Sequence, residues 1–177
     1  MEIQQTDTLT LRKAHLSEKA IIWQILQDAI EQRKQEGSRQ WQDGYPNELS
    51  IINDMEKGYA YVLTENETVL AYSAVIFDKE PAYEIMEGKW LSDGDYLVVH
   101  RVAVSRHAKG KGIATRLFRQ LESLCLQKQV YSIKVDTNFD NIPMLKILDR
   151  LGYTYCGEVY FRGGARKAFE KVLTEQP

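Results

Sequence analysis

The chain has 177 residues, 44% of them apolar and 27% charged, with 23 Lys plus Arg against 25 Asp plus Glu. This profile excludes a disordered chain, and the near balance of charge argues against a dedicated nucleic-acid binder, which carries a marked basic excess. No segment approaches the ~20 continuous apolar residues that span a bilayer, and Met1 to Thr10 is polar where a secretion signal would be apolar. A cytoplasmic protein with no membrane partner is therefore expected. The length suits one domain over residues 1–177, large enough to bury roughly 70% of its unfolded surface without disulfides or metals. The two cysteines, Cys125 and Cys156, have neither a metal-ligand spacing nor the number for a disulfide framework.

Residues 8–14 alternate Leu9 and Leu11 with polar residues and predict a strand. Ser17 is placed to cap a helix whose apolar positions, Ile21, Ile22, Ile25, Leu26, Ala29 and Ile30, recur at helical spacing to about Gln35, with Gly37 as the stop. The following segment, GSRQWQDGYP, reads as a loop that carries Trp41 and Tyr45. A second helix is expected from Asn47 to Lys57, closed by Gly58. Runs over 59–64 and 68–77 predict a hairpin joined at Glu65-Asn66-Glu67. Residues 78–95 are irregular and aromatic, with Tyr83 and Trp90 inside and Tyr96 at the edge.

The most strand-like segment is YLVVHRVAV over 96–104, followed by a basic turn at 105–111 and a helix from Gly112 to Gln129. A strand over 130–136, a helix over 141–151 ended by Gly152, and strands over 153–161 and 165–173 complete the chain. No repeat or linker interrupts this order.

The chemistry concentrates in HRVAVSRHAKGKGIATRLF. A strand runs into a turn with Gly110 and Gly112, and a helix begins there, so its unsatisfied amides and dipole suit an anion. Arg106, Lys109 and Lys111 add positive charge, which favours a phosphate or pyrophosphate over the bland reading of a solvated basic turn. The spacing is not that of a P-loop. A dinucleotide fingerprint is matched in its first half by Gly110-Lys111-Gly112, with Asp136 near the place of the ribose acid, but Thr115 stands where its third glycine belongs.

Lys109-Gly110-Lys111-Gly112-Ile113-Ala114 after the strand His100–Val104, and Asn141 followed by Leu151-Gly152-Tyr153, resemble the two hallmarks of the GNAT superfamily of acetyl-CoA-dependent N-acetyltransferases. The resemblance extends to the order of elements along nearly the whole chain. It implies an α/β fold: a central mixed, largely antiparallel sheet of about seven strands, flanked by about four helices, with a splayed strand pair at the cofactor site. It implies an acyltransferase with acetyl-CoA as co-substrate, an amine acceptor and no metal, as monomer or homodimer. The main chain of Val102, Ala103 and Val104 would pair with the pantetheine arm, and amides from Lys109, Gly110, Lys111, Gly112, Ile113, Ala114 and Thr115 would cradle the pyrophosphate. Asn141 would contact the arm, or serve as a plain helix cap. Two departures stand out: Lys109 replaces the usual Gln or Arg, and Leu148 occupies the position of the customary acidic tyrosine.

Acetyl transfer by direct attack needs a neutral amine, so a base is sought. His100 is the first candidate because histidine exchanges protons near neutrality. Glu84 and Asp136 come next, and Tyr153, Tyr155 and Tyr160 are candidate acids. Trp41, Tyr45, Tyr83, Trp90 and Tyr96 are expected to line the acceptor site, or to form a satellite core. Asp43, Glu80, Glu84 and Glu87 add acid around those loops and favour a basic acceptor. A non-catalytic acyl-CoA-binding domain and a dinucleotide-binding oxidoreductase are the alternatives.

Overall fold

The computed structural model describes residues 8–162 and 164–174, so most of the polar N-terminal segment lies outside the described residues. Eight strands, β1 (Leu9–Lys13), β2 (Ala60–Glu65), β3 (Thr68–Ile76), β4 (Glu87–Gly88), β5 (Leu97–Val104), β6 (Ser132–Thr137), β7 (Thr154–Phe161) and β8 (Gly164–Val172), form one sheet in the order β1-β2-β3-β5-β6-β8-β7-β4. Only β5 and β6 run parallel; every other pairing is antiparallel. That ladder excludes the doubly wound parallel sheet on which the dinucleotide-binding alternative depends.

One face of the sheet is covered by α4 (Ile113–Gln127) and α5 (Ile142–Arg150), whose apolar stripes meet Leu97, Val99, Ile133, Val135 and Phe169. The other face carries α1 (Lys19–Gln35) and α2 (Glu48–Glu56) over β2 and β3, and an aromatic cluster around Tyr83, Tyr96 and Val98 over β5–β8. Between those two patches the face is left open. Along the described residues no helix is long and apolar enough to cross a membrane.

Two local features differ from the expected elements. Ser17 lies inside a 3-10 turn over Leu16–Glu18 and does not cap α1. Glu18 is drawn back instead, accepting two 2.8 Å bonds from Arg12 and one from the His15 amide. The segment 78–95, expected to be irregular throughout, holds a four-residue helix α3 (Pro81–Glu84) capped by Glu80, and the two-residue β4. β4 exists because Gly88 and Gly157 let two backbones touch: a Cβ on Gly88 would lie 2.2 Å from the Cys156 carbonyl oxygen.

The strand β5 shapes the functional region twice. Pairing with β3 passes from Ala74↔His100 to Tyr72↔Ala103, so β5 has one extra residue, and Arg101 takes it up with φ 56°. Without that bulge His100 and Arg101 would face opposite sides of the sheet. With it, both line the open region on the α1–α2 side. The ladder from β5 to β6 joins only Leu97↔Ile133, Val98↔Lys134 and Val99↔Val135, after which the strands part.

Candidate active site

Two cavities meet where β5 and β6 separate. The smaller, about 290 Å³, is lined by Val102, Ala103, Val104, Lys109, Gly110, Gly112, Ile113, Ala114, Thr115 and Asn141, with α5 residues opposite. Gly110 and Gly112 both have φ near +70° (75° and 67°), and nothing lies within 4 Å of where either Cβ would stand. Gly112 is the N-cap of α4 and brings no side chain to its first-turn amides, which leaves them for a ligand. Past Val99 the β6-facing edge of β5 has no strand partner. A phosphate-bearing, extended ligand fits this combination. Lys111, also expected here, is exposed in the turn and does not line the cavity. Asn141 caps α5 through the Met144 amide, and its Nδ2 donates to Gln40 Oε1 at 2.7 Å, tying the α1–α2 loop to the start of α5.

The larger cavity, about 510 Å³, shares Arg33, Val102, Asn141 and Met144 with the smaller one. On one wall the imidazole of His100 sits between two carboxylates, Nε2 at 3.5 Å from Glu80 and Nδ1 at 3.6 Å from Asp136. The rings of Tyr83 and Phe161 meet it edge-on. Contact with His100 holds the Glu80 carboxyl below the usual carboxylate range against the desolvation that would raise it. Tyr83, fully buried, donates to Asp136 at 2.5 Å; burial, and then that carboxylate, push its phenol well above the ordinary value.

The floor is an ion-pair network. Arg101 donates through Nε to Asp54 at 2.9 Å and through a second nitrogen to the other carboxylate oxygen, and it also reaches the Tyr45 hydroxyl. Tyr72 donates to Asp54 as well. The Tyr45 ring lies between two guanidinium groups, Arg101 at 5.9 Å and Arg162 at 4.6 Å from its centroid. Arg33 stacks on Trp41 at 3.9 Å, and burial pulls its guanidinium down to about 10, still charged at neutrality.

Among the residues expected at the acceptor site, Trp41 and Tyr45 line the larger cavity. Tyr83, Trp90 and Tyr96 do not; they form the neighbouring cluster, where Lys134 lies over Trp90 and Tyr96. Of the candidate acids and bases, His100 and Asp136 line it and Glu84 does not: Glu84 is exposed and accepts from the Tyr96 hydroxyl. Tyr153 lines neither cavity and is buried against Phe118, its hydroxyl without a partner among the described residues. Tyr155 and Tyr160 are exposed, the latter donating to Glu87. Leu148 is fully buried in the core. Sequence reasoning passed over Glu80 as a neighbour of His100, and Arg33, Asp54, Arg101, Arg162 and Arg166 altogether. One signal was present: the adjacent polar pair His100-Arg101 breaks the apolar run of β5, which is how a bulge reads in sequence.

Among the described residues no group of three or more His, Cys, Asp or Glu side chains is placed to hold a metal ion. Residues 22–153 match the model of the acetyltransferase (GNAT) family. The chain belongs to that family. It is an acyltransferase by that membership, and the GNAT fold accounts for the parting of β5 from β6. A GNAT-family acetyltransferase structure from Streptococcus agalactiae is 36% identical, with a TM-score of 0.86 over 94% of this chain and 96% of that one. The uncharacterized N-acetyltransferase YesJ of Bacillus subtilis is 25% identical over 156 residues, 86% of this chain and 83% of that protein. At 17% identity the structure of yncA from Salmonella typhimurium, determined with its cofactor acetyl-CoA, shares the fold with a TM-score of 0.65 over 96% of each chain.

Proposed function

We propose that this GNAT protein moves the acetyl group of acetyl-CoA to a primary amine by direct attack, with the coenzyme arm in the smaller cavity and the amine in the larger. The observation that carries the reading is the junction of the two cavities at Val102, Asn141 and Met144, two residues beyond His100 on the same strand. The fit of the smaller cavity to a phosphate-bearing extended ligand and the acetyl-CoA held by yncA support the choice of co-substrate.

The amine nitrogen attacks the acetyl carbonyl carbon, the carbon–sulfur bond breaks, the electron pair leaves with the sulfur and the nitrogen gives up a proton. An alkylamine with a pKa of ~10.4 is only ~0.1% neutral at pH 7, so a base at the site is worth having. His100 accepts that proton, with Glu80 and Asp136 orienting its ring and stabilising the cation that results. A main-chain amide of β5 beyond the end of the β6 ladder polarises the carbonyl oxygen. The customary tyrosine acid is missing from its position, where Leu148 is turned into the core, and Tyr153 is buried as well. A thiol with a pKa near ~8.5 leaves without one.

The reading is tested by initial-rate kinetics with acetyl-CoA against a panel of amines, using the wild type and His100→Gln. Direct attack gives intersecting rather than parallel double-reciprocal lines. Loss of the base lowers kcat by roughly 10²-fold or more while leaving the KM for acetyl-CoA in place. A His100→Gln protein with wild-type kcat overturns the role given to His100, and acetyl-CoA that neither binds nor turns over overturns the function.

A further inference from the structure

We propose that the acceptor is a small zwitterion, a primary amine bearing a carboxylate or similarly compact oxyanion a few bonds from the nitrogen, and that Arg166 selects it. The inference rests on the reading that the larger cavity takes the acceptor. Its observation is the juxtaposition of a carboxylate-flanked histidine and an arginine with no carboxylate partner on one face of the sheet.

The larger cavity is lined by six basic residues and four acidic ones, the reverse of the acid-rich acceptor site expected from the loops. Asp54 is paired with Arg101 and also accepts from Tyr72, and Asp78 accepts from the Tyr59 hydroxyl away from His100. Glu80 and Asp136 stand beside His100; each accepts one neutral donor, the Ala82 amide and the Tyr83 hydroxyl, and has no arginine or lysine partner among the described residues, so both suit an incoming ammonium. On the basic side Arg101 is paired with Asp54, and Arg162 at the rim lies 3.4 Å from Asp43. Arg166 is half-buried and has no carboxylate partner among the described residues. Arg33 stacks on Trp41 and donates to the Ala29 carbonyl, again without a carboxylate.

Register fixes how the backbone positions behind the two subsites are spaced. Asp136 of β6 pairs with Ala168 of β8, and directly opposed residues share a face. Arg166 is two residues from Ala168 along β8 on that face, about 7 Å along the strand at ~3.4 Å per residue. From there its side chain lines the same cavity, where a planar guanidinium offers a fork for two oxygens of one anion while the amine lies against Glu80 and Asp136. A cavity of about 510 Å³ holds a molecule of amino-acid size together with the acetyl group. A polyamine or aminoglycoside would bring, beyond the one ammonium that Glu80 and Asp136 suit, further positive charge against Arg33 and Arg166.

The test compares wild type, Arg166→Met and Arg166→Lys on a panel of amino acids, each offered as free acid, as its amide and as the aminophosphonate, alongside 1,4-diaminobutane. In the wild type the best oxyanion-bearing acceptor is expected to exceed its own amide, and the diamine, by about 10²-fold in kcat/KM. R166M removes that ratio by raising the acceptor KM, R166K keeps part of it, and neither moves the KM for acetyl-CoA. A phosphonate preferred over its carboxylate identifies the oxyanion as phosphorus-based within the same proposal. Amides or diamines consumed as well as acids, or an R166M that keeps the ratio, overturn the proposal and leave the acetyltransferase reading standing. Acetyl-CoA that binds with no amine consumed overturns both. R166K guards against a folding artefact, since a charge-preserving change that also abolishes the ratio while the melting temperature falls counts against selection by Arg166.

Discussion

Replacing Asp54 by Asn removes the carboxylate that is ion-paired with Arg101 while keeping nearly the same shape. Both side chains are largely out of water, at 13% and 4% exposure for Arg101 and Asp54. The amide replaces one acceptor oxygen by a donor whichever way it turns: at one position its NH2 faces Arg101 Nε and the Tyr72 hydroxyl, at the other the second nitrogen of Arg101. Breaking a buried pair from one side leaves an uncompensated charge and costs about 3–5 kcal/mol. For a protein of this length each kcal/mol moves Tm by about 2–4 °C, so Asp54→Asn should melt on the order of 10 °C below the wild type. Urea unfolding of both proteins at pH 7 measures the loss directly. Adding Arg101→Met to Asp54→Asn removes the stranded charge, so the double variant should recover part of the loss, and the cycle should show coupling well above 1 kcal/mol. An Asp54→Asn protein within 1 kcal/mol of wild type would refute the idea that this pair holds the cavity floor.

Glu18 lies against Arg12, and bonding to that guanidinium, against some desolvation, takes its carboxyl down to about 2. Its folded value is depressed, so the stabilisation is present above the unfolded carboxyl value of ~4.3 and is lost as pH falls toward 2. Discounted for solvent screening, Glu18→Gln should cost about 1–2 kcal/mol at pH 7, with the gap to wild type closing between pH 4.5 and 2; a gap that stays constant by urea unfolding across that range contradicts it. Tyr83→Phe removes the hydroxyl that holds Asp136 beside His100. Its expected signature is a roughly tenfold lower kcat, an unchanged KM for acetyl-CoA and a stability loss of about 1–2 kcal/mol; an unchanged kcat in steady-state assays would free Asp136 from any positioning role.

Much of the fold follows from local chemistry. Gly37 and Gly58 end helices with φ near +80° (80° and 75°), and Asn66 and Glu67 supply two positive φ values for the β2–β3 turn without a glycine. Asn141 and Pro143 open α5 where a cap and an early proline belong. What local pattern could not show is anything decided by a distant partner. Ser17 is a better cap than its neighbours, yet Arg12 captures Glu18 from six residues before it, and the helix starts there instead. β4 has no strand pattern of its own and depends on the approach of Gly157, almost seventy residues later.

The sign of the cavity's charge shows the same limit most sharply. Of the four carboxylates that the loop sequences place near an acceptor, Glu84 binds Tyr96, Glu87 binds Tyr160 and Asp43 pairs with Arg162 at the rim. Only Glu80 reaches the wall beside His100. The arginines arrive from elsewhere: Arg33 from the last turn of α1, Arg101 through a bulge, Arg162 and Arg166 from the β7–β8 hairpin. Apart from Arg101, which breaks the apolar run of β5, each is unremarkable in its own segment, since an arginine near a helix end or in a hairpin is normally solvated. They converge because β8 is inserted between β6 and β7, which sets Arg166 two residues from the partner of Asp136. A tally of charge along the chain weighs residues by proximity in sequence, whereas an acceptor meets them by proximity in the sheet.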